Sequence, residues 1–272
     1  NDIYDGTETS INNVFTNINL GTSSIKNLSR ILSIKSFENN VVATSELTTK
    51  VTEGTTSIYV TVEVSSSLML LPEKPMTGRL DNARVGYFTN PLLSYSDGQQ
   101  RVSKQQFITR WRLEPKPEDR ECYLRGELVE PAKPIVFYIE NSTPYRWRKY
   151  IKQGIEDWQV AFERAGFKNA IIAKDITDSM TVDMDDVNYS VLTYAASTKA
   201  NAMGPSILDP RSGEILEADI MWWHNVLNML QEWITVQTGT VRPEARGIKL
   251  SDELMGDAMR FVACHEVGHS LG

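Results

Sequence analysis

Two histidines and a glutamate hold the clearest chemistry in this sequence. In CHEVGHSLG, Cys264 to Gly272, His265 and His269 lie four residues apart with Glu266 between them. On a helix that spacing stacks both imidazoles on one face, where they can share a metal ion, and sets the carboxylate beside them. Neutral imidazole suits Zn2+, which lowers the pKa of a bound water toward about 7, and a carboxylate takes the proton as the water attacks a carbonyl. His265 and His269 are therefore candidate zinc ligands and Glu266 the candidate general base. The chain has only three histidines, so two in this register are hard to ascribe to composition.

A helix has to carry them. In LSDELMGDAMRFVACHEVGHSLG, Ser251 is a plausible N-cap, Asp252 and Glu253 sit in the first turn, and Leu254, Met255, Ala258, Phe261 and Val262 recur at helical spacing before Gly272. Upstream, KPIVFYIEN (133–141) reads as a buried strand. It is followed by STPYRWRKYIKQGIEDWQVAFERAGF, which predicts one long helix with Thr143 as N-cap and Pro144 at the first helical position. Its Trp147, Trp158 and Phe162, with Phe167 just beyond, read as core packing. Strand-like runs NAIIAKDI (169–176) and NYSVLTYAA (188–196) follow, and strand, helix, strand in that order predicts a right-handed crossover in a partly parallel sheet. The turn DPRSG then separates two extended pieces, the second from Glu214 to Trp222, which predicts a hairpin with its outer strand at a sheet edge.

The first hundred-odd residues differ. They are rich in Ser, Thr, Asn and Val, with period-2 runs TSIYVTVEV (56–64) and QQFITRWRL (105–113), and read as β structure. LEPKPEDRE (113–121), with two prolines and its charges, predicts a loop and a domain boundary between about 115 and 130.

Composition narrows the classes. With 28 Lys+Arg against 35 Asp+Glu the net charge is -7 and the positive residues are scattered, which argues against nucleic acid as a partner. No apolar run reaches the roughly 20 residues that span a bilayer, and NDIYDGTETS at the start has neither part of an export signal. Cys122 and Cys264 are too few for a disulfide framework and read as free, buried thiols. Oligomeric state has no signature.

Other residues invite roles and mostly decline them. His224 is the remaining histidine and reads as a surface or helix-start residue rather than a third ligand. Cys122 has nothing around it to support a zinc-capping role. Asp175, Asp178, Asp183, Asp185 and Asp186 lack the spacing of a calcium loop and read as a solvated loop.

HEVGHSLG, with Gly272 third after the second histidine, resembles the start of the metzincin motif HExxHxxGxxH. The wider sequence is similar to Bacteroidetes-type zinc-dependent metalloproteases, in which a domain of uncharacterised function precedes a metzincin-like catalytic domain. LPEKPMTGRLDNARVGYF (71–88), residues 133–167, GPSILDPRSGEILEADIMWWH (204–224) and FVACHEVGHSLG carry that resemblance.

The resemblance implies an α+β fold: a β-rich domain of unknown role over 1–125, then over 126–272 the N-terminal, upper half of a metzincin-like α/β catalytic domain ending in the active-site helix. It also implies a zinc metalloendopeptidase acting on peptide or protein substrates through a zinc-bound water activated by Glu266, and export to the periplasm or cell surface. It makes Glu214 to Ile220 an edge strand, whose Ile215, Leu216, Glu217 and Ala218 align an extended peptide by backbone pairing. The family's third histidine would fall three residues beyond Gly272 and its methionine turn later. The expectation is therefore a fragment, inactive alone and a poor zinc binder. A zincin with a distant glutamate ligand, a zinc hydrolase of non-protein amides, and a non-enzymatic binding module with a degenerate metal helix stay open.

Overall fold

The computed structural model describes residues 24–53 and 55–272. The run NDIYDGTETS, read above for export signals, lies outside the described residues. The fold is mixed α and β, with a β-rich N-terminal region, and the chain forms two compact units, Asn1–Leu71 with Asp185–Val187, and Pro72–Met184 with Asn188–Gly272. The first unit runs to Leu71 and takes in Asp185–Val187, so the residues between Pro72 and the expected boundary at 115–130 belong by compactness to the second unit. Residues 72–125 hydrogen-bond into the second unit, whereas the prolines near 115 mark only a change of direction within it.

In the first unit β1 (Arg30–Ser36), β2 (Asn40–Glu53) and β3 (Thr56–Met69) form an antiparallel sheet in that order. β-Branched residues suit these strands. Val42, Leu47 and Val51 are buried, and Thr48 Oγ1 and Thr61 Oγ1 share a cross-strand hydrogen bond of 2.9 Å.

The second unit begins with the hairpin β4 (Thr89–Ser94) and β5 (Ser103–Ile108). QQFITRWRL, read as a single run, breaks at Thr109 and resumes as β6 (Arg110–Trp111) in another sheet. The expected loop at 113–121 holds a 3-10 turn, Pro117–Asp119, and leads into a short helix, α1 (Arg120–Leu124).

The main sheet contains β7 (Ile135–Ile139), β8 (Ile171–Asp175), β9 (Ser190–Ala195), β10 (Ala202–Met203) and β13 (Ile220–Trp223), ordered β10-β13-β9-β7-β8. All neighbours are parallel except β10, which is antiparallel to β13. The predicted crossover joins β7 to β8 through two helical pieces, α2 (Tyr145–Glu156) and α3 (Gln159–Arg164). Pro144 takes the cap position in place of Thr143, and Asp157 and Trp158 interrupt the expected single helix while keeping right-handed backbone angles. Both interrupting side chains are engaged elsewhere: Asp157 accepts from Arg260 Nε at 2.7 Å and the Trp158 indole donates to Cys264 O at 2.8 Å.

α4 (Val226–Thr238) and α5 (Asp252–Ser270) complete the unit. Ser251 caps α5 as predicted, its hydroxyl accepting from Leu254 N at 3.1 Å. Met255, Met259, Val262, Ala263 and Val267 bury one stripe of α5 against a core that includes Phe137, Ile151, Ile155, Leu192 and Trp222. Phe261, assigned to the apolar face, is 67% exposed.

The expected edge strand is corrected. β12 (Glu214–Ala218) is the middle of a three-stranded sheet, with β11 (Ser206–Asp209) antiparallel on one side and β6 parallel on the other. The hairpin at DPRSG is present, but Ile215, Glu217 and Ala218 are buried and Leu216 is half-buried. The run breaks at Asp219, whose carboxylate accepts the Val191 amide at 2.8 Å while its own amide donates to Pro205 O at 3.1 Å. Those two bonds hold the chain as it steps from one sheet to the next.

Glu217, 6% exposed, faces Asp219, and burial with the neighbouring carboxylate pushes its carboxyl up to about 9. Burial raises Asp219 as well. An unfolded glutamate ionises near its ordinary value of 4.5, so the folded chain keeps a proton that the unfolded chain has lost. Stability from this pair is therefore complete below that value and declines as pH rises toward 9, with a slope of at most about 1.4 kcal/mol per pH unit per group. Glu217→Gln is expected to flatten the decline and to stabilise the protein at pH 8 more than at pH 4, as read from urea unfolding across pH.

Candidate metal centre

The last two turns of α5 bring the predicted trio together. His265 is exposed, His269 half-buried and Glu266 buried at 7% exposure, because the helix turns the glutamate toward the sheet and the histidines away from it. The two Nε2 atoms converge to 3.0 Å, with ring centroids 4.6 Å apart and planes at 87°. Two imidazoles on one tetrahedral zinc, at bonds of about 2.0–2.1 Å, place their nitrogens about 3.3 Å apart. The observed 3.0 Å is shorter than that and is the length of a hydrogen bond between the two rings, so the two nitrogens face a common point on the helix surface. Among the described residues no three His, Cys, Asp or Glu side chains gather as a metal site, whereas a catalytic zinc takes three protein ligands.

Burial raises the Glu266 carboxyl above the usual range, opposed by the charges of His265 and His269. A carboxyl so raised is closer in proton affinity to neutral pH than an ordinary glutamate. Burial likewise pushes the neighbouring Cys264 thiol up.

The other histidine and cysteine are engaged apart from this pair. His224 Nδ1 lies 2.8 Å from the Tyr194 hydroxyl, and Cys122 Sγ accepts from Arg125 at 3.2 Å. Both cysteines are free and half-buried. In the acidic run, Lys152 pairs with Asp175, and Lys35 with Asp185 at 2.7 Å.

Three features beside the pair had no local signal in the sequence. The first is the sheet edge: β10, not β12, is the antiparallel edge strand of the main sheet, and the chain leaving it lies against α5. A Cβ on Gly204 would come within 2.6 Å of Glu266 O and 2.5 Å of Ser270 Oγ. The second is the pair of indoles on α5 carbonyls, Trp158 on Cys264 O and Trp111 on Ser270 O, both at 2.8 Å. The third is Phe88, whose ring stacks on His269 with centroids 5.5 Å apart and planes at 16°.

Residues 247–272 match the family model described as Met-zincin, and residues 1–116 match the model described as a domain of unknown function, DUF5117. No curated protein and no solved structure matches the chain. The first match covers the helix with both histidines and supports a zinc-metallopeptidase type of family in general. The second runs past Leu71, so its last forty-odd residues lie in the same compact unit as α5. Among the described residues no helix is long and apolar enough to cross a membrane.

The close approach at Gly204 generates a test. Gly204→Ala must push β10 and α5 apart and is expected to destabilise the protein by about 1–3 kcal/mol, measured by denaturant unfolding.

Proposed function

We propose that this protein is a zinc-dependent endopeptidase in which His265 and His269 hold the ion and Glu266 is the general base. The observation that carries the reading is the convergence of the two Nε2 atoms at 3.0 Å beside a buried carboxylate, in the segment that matches the Met-zincin model. When bound, zinc would supply Lewis-acid activation of a water and polarisation of the scissile carbonyl.

The chain's own groups do the rest. Glu266, held in low dielectric, takes the proton from the attacking water and delivers it to the leaving amine. β10 is the edge strand next to the histidine helix, and an extended peptide is aligned there by strand addition as it displaces the Asn201 side chain from the Ala202 amide. That assignment replaces Ile215 to Ala218 as the residues aligning substrate, since β12 already has a partner strand on each side. A third donor, which the described residues do not gather, completes the coordination.

In the protein with its ligand set complete, zinc titration by calorimetry is expected to show one ion per chain, with marked weakening in His265→Ala and His269→Ala. In the protein with its ligand set complete, Glu266→Gln is expected to lower casein hydrolysis by about 10²–10⁴-fold with zinc content unchanged. Zinc uptake indifferent to both histidine substitutions would overturn the reading.

A further inference from the structure

The strap of residues 72–88 lies within the segment matched to a domain of unknown function, yet it is built into the unit that holds α5. Three arginines grip the backbone of this strap: Arg211 donates to Pro72 O at 2.6 Å, Arg112 to Lys74 O at 2.9 Å and Arg110 to Thr77 O at 2.9 Å. Arg112 is itself fixed by a bidentate pair with Glu214, at 2.8 and 2.6 Å. Charge-assisted bonds of this kind are strong and directional.

The strap ends at Phe88, which is tied on both sides. Its amide donates to Gly272 O at 2.8 Å, and its carbonyl accepts from Thr109 N at 2.8 Å. Gly272 takes a φ of +97°, and a Cβ there would meet Thr109 O at 2.1 Å, so only glycine allows the helix end to lie this close to Thr109, whose amide holds the Phe88 carbonyl. The backbone that orients Phe88 is therefore bonded to the residue ending the turn that carries His269.

The ring of Phe88 lies nearly parallel to that of His269. An imidazole offers its lone pair in the plane of the ring, so a partner over the face restricts rotation of the ring without competing for the metal. We propose that Phe88 is a positioning residue that fixes the His269 imidazole in the orientation for metal binding, and that the strap 72–88 serves to hold it there. The proposal rests on the reading of His269 as a zinc ligand. It gives the second half of the uncharacterised segment a role in the metal site.

The test uses the protein with its ligand set complete, as wild type and with Phe88→Leu, Phe88→Tyr and His269→Ala. Zinc affinity by calorimetry is expected to fall about tenfold in Phe88→Leu, the lower range for loss of a group that orients a ligand, and to return in Phe88→Tyr. In the metal-free protein, ring relaxation of His269 by NMR is expected to show a more mobile imidazole in Phe88→Leu and a wild-type one in Phe88→Tyr, with His265 unchanged. A Phe88→Leu chain with a wild-type His269 ring overturns the proposal, as does unchanged zinc affinity where His269→Ala lowers it. Wild-type protein that takes up no zinc would instead defeat the metal reading, and the ring measurement would still decide whether Phe88 fixes His269.

Discussion

A helix must find partners for its last carbonyls, and in this protein that requirement governs the arrangement around the histidines. The terminal turn of α5 cannot be buried by apolar packing alone, because one face carries imidazoles that have to stay open. The carbonyl of Ser270 goes to the Trp111 indole and that of Gly272 to the Phe88 amide, while the Trp158 indole adds a second bond to Cys264 O. β6, the strap and the break between α2 and α3 each deliver one of these donors. Several irregular features of the fold thus meet at one helix end.

The same requirement explains why compactness and family segment divide the chain differently. The segment 1–116 is one unit of sequence comparison, but the structure parts it at Leu71. The earlier piece makes its own sheet from Ser, Thr and Val. The later piece places Trp111 and Phe88 against α5 and contributes β6 to the sheet of β11 and β12.

What was legible in the sequence was local. Ser251, the acidic first turn and the apolar period specify α5, and the spacing of His265 and His269 follows from it. Three strands of the main sheet, β7, β8 and β9, could likewise be read from short β-branched runs. Where the reading failed, the deciding contacts were distant in sequence. EILEADIMWW is an unbroken β pattern, and only the bonds of Asp219 to Val191 and Pro205 divide it between two sheets. Trp158 has the period of a core residue and is partly buried, yet its indole nitrogen serves a carbonyl on another helix. β10 has two residues, too few for any periodicity, so the open edge was assigned to the longer run. Phe88 lies in no regular element, and nothing nearby in the chain signals that it stacks on His269.

The Trp111 to Ser270 hydrogen bond joins residues 159 apart in sequence. Helix ends normally fray at almost no free-energy cost, independently of the rest of a domain. Here, to release the last turn of α5 is also to release an indole from β6 and an amide from the strap. Opening of the histidine face therefore belongs to a larger cooperative event. Amide exchange at the end of this helix should report the stability of the whole second unit rather than that of one turn.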